Sequence, residues 1–239
     1  MKGVIIAGGK GTRLLPLTKL VNKSLLPIYN RALVEYPINL LLKAGIREIL
    51  IITGPEHAGD FIEYFGSGNN IKADFTYRVQ QEPLGIANAL AQAESFVGGE
   101  PFTAILSDNI FDGNFTNKLK NFRSGARIFL KRVDDPRYFG VAVLEGKRVV
   151  KILEKPADPP TNYAVTGLYQ YDAEVFKIIR KLKPSARGEF EITDVNNAYI
   201  KKGEMKAEFI NGFWSDAGTF DSLVSAGQWA LKVNHKKKS

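Results

Sequence analysis

A chain of 239 residues with 44% hydrophobic content can fill one substantial core. With no cysteine and only His57 and His235 as histidines, it has no disulfide framework, no thiol nucleophile and no thiolate metal site, as expected of a cytoplasmic protein. Its net charge of +8, from 33 Lys+Arg against 25 Asp+Glu, suits anionic partners.

No aromatic-interleaved basic stripe accompanies that charge, and Lys236, Lys237 and Lys238 read as a solvated, frayed tail, so no nucleic-acid partner is expected. Glycines and charges interrupt the apolar stretch Val4 to Ala7 before a signal peptide could form, and no later run approaches bilayer length; no membrane partner is expected either.

In chain order, strand patterns at Val4 to Ala7, Glu48 to Thr53, Asp74 to Val79 and Phe102 to Leu106 alternate with helical patterns at Leu33 to Ala44, His57 to Phe65 and Ile86 to Phe96. That alternation predicts βαβ units and a largely parallel sheet. After Asp108 the extended segments Arg127 to Lys131, Gly140 to Leu144, Val149 to Leu153 and Ala164 to Tyr171 crowd together. Helical patterns follow at Ala173 to Leu182, Ile192 to Lys202 and Phe220 to Val233. No Gly/Ser-rich linker, internal repeat or low-complexity segment divides the chain, so residues 1–239 are read as one domain.

The first strand stops at Gly8, Gly9 and Gly11, where parallel sheets bind ligands beyond their carboxyl ends. Such glycines allow positive φ and bring backbone N–H groups close to an anion, although a tight turn without a ligand uses them too. Neither a Walker A loop nor a dinucleotide fingerprint matches, since Gly11 is followed by Thr12, Arg13 and Leu14. Arg13 and Lys23 lie in a Leu/Pro-rich segment, where a charge needs an anionic ligand or a carboxylate.

The segment AGGKGTRLLPLT, followed by NKSLLP, resembles the signature of sugar-1-phosphate nucleotidyltransferases. VQQEPLGIANAL, LSDN, FGVAVL, LEKP, NYAVTGLYQYD, SARGEFEITDVN and FWSDAGT then occur in that family's order, and the chain is most similar to the short forms of glucose-1-phosphate thymidylyltransferases. The resemblance implies a Rossmann-like, three-layer α/β fold with a central mixed, mostly parallel sheet. It also implies attack of the glucose-1-phosphate oxygen on the α-phosphorus of dTTP with loss of pyrophosphate, in nucleotide-sugar and surface polysaccharide synthesis.

By the same resemblance, residues 1–108 form a nucleotide-binding half. Gly8, Gly9 and Gly11 cradle the nucleotide, Arg13 and Lys23 are catalytic at the phosphates, and Gln80 and Gly85 meet the base. Residues 109–239 form a sugar-phosphate half, with Asn109, Gly140, Glu154, Lys155, Gly167, Tyr169 and Arg187 as its binding residues. Asp108 and Asp216 are the implied ligands of Mg²⁺, a hard cation suited to carboxylates and phosphate oxygens.

Three positions depart from the pattern of many relatives: Ser107 stands for glycine, Ser24 for glutamine and Leu153 for an acidic residue. The longer relatives continue into helices that build a subunit interface and a regulatory nucleotide site, so the resemblance carries no such site over and leaves a homo-oligomer open. A UTP-using enzyme, another hexose-1-phosphate, or a non-catalytic nucleotide- or nucleic-acid-binding protein are the alternative readings.

Overall fold

A computed structural model describes residues 1–236; of the lysine tail, Lys237 and Lys238 lie outside the described residues. The first part of the chain runs β1 (Lys2–Ala7), β2 (Pro27–Ile28), β3 (Arg31–Ala32), α1 (Glu35–Lys43), β4 (Glu48–Thr53), α2 (Ala58–Phe65), β5 (Asp74–Val79), α3 (Ile86–Ala91), α4 (Glu94–Val97) and β6 (Phe102–Leu106). The second runs β7 (Ile110–Phe111), α5 (Thr116–Lys120), β8 (Ala126–Arg132), β9 (Gly140–Glu145), β10 (Arg148–Glu154), β11 (Tyr163–Tyr171), α6 (Glu174–Ile179), α7 (Ile192–Lys201), β12 (Met205–Ile210), β13 (Trp214–Ser215) and α8 (Phe220–Lys236). Among the described residues no helix is long and apolar enough to cross a membrane.

The expected mixed, mostly parallel sheet is present. Its nine strands follow the order β10-β9-β11-β6-β1-β4-β5, with β8 on β11 and β12 on β8. Strands β6, β1, β4 and β5 form a parallel block, and β8, β9 and β12 share its direction; β10 and β11 run against them. The strands KGVIIA, EILIIT and FTAIL are near-continuous apolar runs, apart from a charged first residue in the first two and a single threonine in the last two, because helices cover both faces of this block.

The two-residue period then divides each strand between two cores. Val4, Ile6, Leu50, Ile52 and Ala104 pack with Leu90 of α3, Phe176 of α6 and Val195 of α7. Ile5, Ile49, Ile51 and Ile105 pack with Ile38 and Leu41 of α1 and Phe61 of α2. Each such side chain, fully buried, stabilises the fold by about 1.5–3 kcal/mol relative to exposure. A smaller cluster of Ile28, Leu33, Ile110, Ala217, Ala226 and Ala230 seats α8 against the two-stranded ribbons.

Several boundaries differ from the sequence reading. The helix expected over Ile86 to Phe96 is two, with Arg78 Nη1 donating to the Gln92 carbonyl at 2.8 Å where the first ends. The helix expected from Leu33 begins at Glu35, because Arg31–Ala32 pairs with Pro27–Ile28. Strand β12, the helix α5 and both short ribbons were absent from the sequence reading.

Candidate active-site crevice

Parallel strands end together, so Gly8 after β1, Gln80 after β5 and Asp108 after β6 open onto one edge of the sheet. The three glycines of the loop have different tasks. A Cβ at Gly8 would lie 2.7 Å from Gln80 Oε1, whereas Gly9 faces open space. Of the three, positive φ is realised at Gly11 alone (62°), where the chain enters the turn Thr12–Leu14. The buried Leu14 anchors that turn and leaves Arg13 on its exposed side.

Lys23 is placed by its neighbours. Asn22 Nδ2 reaches the Ala7 carbonyl at 3.5 Å, and Asn22 Oδ1 accepts the Ser24 N–H at 2.8 Å, capping the turn Lys23–Leu25 beside the end of β1. Lys23 Nζ then pairs with Asp108 Oδ2. Arg13 Nη2 stands 3.7 Å from Asp216 Oδ2. Of the two kinds of partner open to these cations, an anionic ligand or a carboxylate, each has a carboxylate beside it in this structure.

The antiparallel ribbon β7·β13, with Trp214 opposite Phe111 and Ser215 opposite Ile110, brings Asp216 back to Asp108 from a distant part of the chain. Burial, followed by the nearby Asp108 charge, raises the Asp216 carboxyl above the usual carboxylate range; Arg13 acts against both. Ala217 holds φ 39°, and a Cβ at Gly218 would fall 2.5 Å from Arg13 Nη2, so the small residues after Asp216 make way for the guanidinium.

Among the described residues no group of three or more His, Cys, Asp or Glu could hold a metal. The donor set is instead two converging carboxylates. That suits a hard cation that takes few protein oxygens and fills its remaining positions with water and substrate phosphate.

On the other residues assigned to the nucleotide, the structure adds reasons the sequence did not supply. Gln80 is buried, and its Nε2 donates to Asn88 Oδ1 at 2.8 Å, fixing the amide beside Gly8. Gly85 has φ 98°, and a Cβ there would meet the Phe190 carbonyl oxygen at 2.7 Å. Packing on residue 190 is by itself enough to require glycine there.

The hairpin β9–β10 extends the sheet past the end of β6, where Ala164 of β11 pairs with Val141. Gly140 and Glu154 are partners in that hairpin. A Cβ at Gly140 would lie 3.5 Å from Glu154 Oε2, which accepts the Thr193 hydroxyl at 2.5 Å. Lys155 has φ 43°, with its N–H donating to the Phe139 carbonyl at 3.0 Å and its ammonium 4.0 Å from Glu154. Non-glycine residues in this region store strain and collect at functional sites; Lys155 and Ala217 both border the crevice.

Tyr169 is buried, and burial first, then the Glu154 and Asp108 charges, raise its hydroxyl far above the ordinary phenol range. Gly167 has no Cβ because one would lie 2.7 Å from both Asn109 Nδ2 and Leu106 Cγ; its N–H donates to Asn109 Oδ1. Asn109 in turn donates to Asp108 Oδ1 at 2.7 Å.

Arg187 sits among three carboxylates. Its Nη2 lies 2.8 Å from Glu191 Oε2, 3.3 Å from Glu154 and 3.8 Å from Glu189. Burial would lower its pKa, but Glu191, Glu154 and Glu189 together raise it. It braces these carboxylates in this structure. Sequence reasoning also passed over Asn22, Asn88, Glu191, Thr193, Trp214 and Gly218; Thr193, Trp214 and Gly218 act across long separations that no local pattern signals, whereas Glu191 lies four residues from Arg187 and Asn88 is close in sequence to Gln80.

A nucleotidyl transferase family model matches residues 2–232. A glucose-1-phosphate thymidylyltransferase of Neisseria meningitidis is 43% identical over 98% of this chain and 84% of its own. Another, of Mycolicibacterium smegmatis, is 43% identical over 98% and 83%. A crystal structure of a provisionally assigned glucose-1-phosphate thymidylyltransferase from Bacillus anthracis, in complex with a sucrose, superposes with a TM-score of 0.92 at 46% identity, covering 96% of this chain and 95% of that one. A UDP-glucose pyrophosphorylase complexed with UDP-glucose gives 0.84 at 27% identity, covering 97% and 98%. With the matched model spanning the crevice and both cation–carboxylate pairs, the chain belongs to the nucleotidyl transferase family.

Proposed function

We propose that this chain is a glucose-1-phosphate thymidylyltransferase, supplying a nucleotide sugar for surface polysaccharide synthesis in the cytoplasm. The observation that carries the reading is the double pairing of Arg13 with Asp216 and Lys23 with Asp108 behind a glycine loop at the end of a parallel strand. Residues up to about 108 serve the nucleotide dTTP, and those from 109 serve the sugar phosphate.

In the reaction an ionised oxygen of glucose-1-phosphate forms a bond to the α-phosphorus, and the bond from that phosphorus to the bridging oxygen of pyrophosphate breaks. The attacking oxygen carries no proton, so no general base is required. The demand is for alignment and for positive charge where negative charge builds. Arg13 turns from Asp216 to the triphosphate, and Lys23 lies at the reacting phosphate. Asp108 and Asp216 would hold Mg²⁺, which when bound supplies further charge neutralisation at the phosphates. Gln80, oriented by Asn88, meets the pyrimidine edge. Glu154, held by Thr193 and Arg187, accepts hydrogen bonds from sugar hydroxyls, and Lys155 faces the sugar phosphate.

Thymine and uracil present the same edge to Gln80, so UTP is the competing nucleotide. Pyrophosphate release measured for dTTP, UTP, CTP and GTP against several hexose-1-phosphates with Mg²⁺ tests the proposal. The expected maximum is dTTP with glucose-1-phosphate; no release with any pair would overturn it.

A further inference from the structure

Trp214 joins parts of the crevice that the motifs treat separately: the Asp108–Asn109 turn, the strand bearing Gly167 and the sugar-side segment at Phe139. Its Nε1–H donates to Asn109 Oδ1 at 2.8 Å, and the same oxygen accepts the Gly167 N–H at 2.9 Å. Two donors on one oxygen leave the Asn109 amide a single orientation, because a flipped amide would point N–H at N–H. Nδ2 must then face Asp108 Oδ1, 2.7 Å away. The indole is also edge-on to Phe139, with ring centroids 5.2 Å apart, and Phe139 adjoins Gly140 and takes the Lys155 N–H on its carbonyl. In the ribbon, Trp214 lies opposite Phe111 and two residues before Asp216.

We propose that Trp214 is a positioning residue: through Asn109 its indole N–H fixes the rotamer of Asp108, while its place in the ribbon sets Asp216, so that both carboxylates face a divalent cation in one geometry. Its ring links that geometry to the sugar-side segment at Phe139. The inference rests on the proposed metal role of the two aspartates. Partners of ligating groups in other metal sites are worth 10- to 100-fold in affinity or activity.

The test is Trp214→Phe, which keeps a ring against Phe139 and removes the donor. Mn²⁺ binding to the substrate-free protein is read by electron paramagnetic resonance, beside steady-state kinetics with Mg²⁺. The expected result is an Mn²⁺ dissociation constant raised about tenfold or more and kcat lowered to match, with KM for glucose-1-phosphate nearly unchanged. Parental Mn²⁺ affinity and kcat in Trp214→Phe would overturn the positioning role alone. Failure of the parent to bind Mn²⁺ would overturn the metal reading as well. A measurement on the unaltered ring does not depend on that variant folding: with Trp229→Phe as the assignment aid, the Trp214 indole N–H resonance should exchange slowly with solvent and shift when Mg²⁺ is added. A rapidly exchanging, unresponsive resonance would overturn the proposal.

Discussion

Ser24 and Ser107 share a buried hydrogen bond, their hydroxyl oxygens 2.7 Å apart, in the turn and strand end that also carry the Lys23–Asp108 pair. By the resemblance of the motifs, these are two of the three positions at which the chain departs from the family pattern, with glutamine and glycine as the family's residues. A glycine offers no hydroxyl, so each serine here supplies the partner that the other requires.

Ser24→Ala and Ser107→Ala should therefore each cost about 1–3 kcal/mol, since the remaining hydroxyl is left buried without its partner. The double variant should cost less than the sum, with a coupling of about 1 kcal/mol. Urea unfolding of the four proteins measures it, and strict additivity would show the contact to be idle.

The two active-site cations should separate in their effect on stability. Lys23→Ala removes the partner of a largely buried carboxylate and should cost roughly 1–3 kcal/mol of stability as well as activity. Arg13 is more than half exposed, so Arg13→Ala should leave the melting temperature nearly unchanged. Its kcat should still fall by the equivalent of about 2–3 kcal/mol, the scale for one preorganised donor. Thermal melts beside steady-state kinetics distinguish the two; a melting collapse in Arg13→Ala would make it structural.

Asp216→Asn should behave oppositely in stability and in turnover. The folded state binds the Asp216 proton more tightly than the unfolded chain does, so ionisation at neutral pH penalises the fold. The penalty is present above the raised folded pKa and disappears as pH falls below the unfolded value. Asparagine removes it, so the metal-free variant should melt higher than the parent at neutral pH, with the difference vanishing in acid. Its kcat should drop roughly 10²-fold or more. A variant less stable than the parent at neutral pH, with Mg²⁺ absent, would contradict this.

At Gly85 the expected damage is to folding. Gly85→Ala pushes a Cβ onto the Phe190 carbonyl and forces alanine to φ 98°, a combination expected to cost at least about 1–3 kcal/mol. The loss should appear in unfolding curves measured without any nucleotide. Unchanged stability with weakened nucleotide use would return Gly85 to the base-contact role.

The rhythm of strands and helices up to Asp108 was legible because the central strands β1, β4 and β6 are largely apolar runs and α1 and α2 show a helical period, although the break between α3 and α4 left no such mark. The ribbon β7·β13 was not, since two-residue strands have no period to read. Strand β12 could have been found: Met205, Ala207 and Phe209 alternate with Lys206 and Glu208. Asp108, Asp216, Arg13 and Lys23 were named from local motifs, but which cation meets which carboxylate was invisible, being decided by contacts across the whole chain. Arg187 shows the same limit, because Glu154, one of the three carboxylates around it, lies far away in sequence.

Strand β11 runs between β6 and β8 and carries Gly167 and Tyr169 into the crevice from within the continuous sheet. The walls on either side are therefore stitched to one another by backbone hydrogen bonds along the floor, and the crevice has no clamshell to swing open. Any change of shape on binding would then fall to the rim: the segment from Thr12 to Leu26, with Leu20 almost wholly bare to solvent, and the turns bearing Lys155 and Ala217. Adjustment to a ligand in this molecule would then be the work of a few loop residues over a rigid floor.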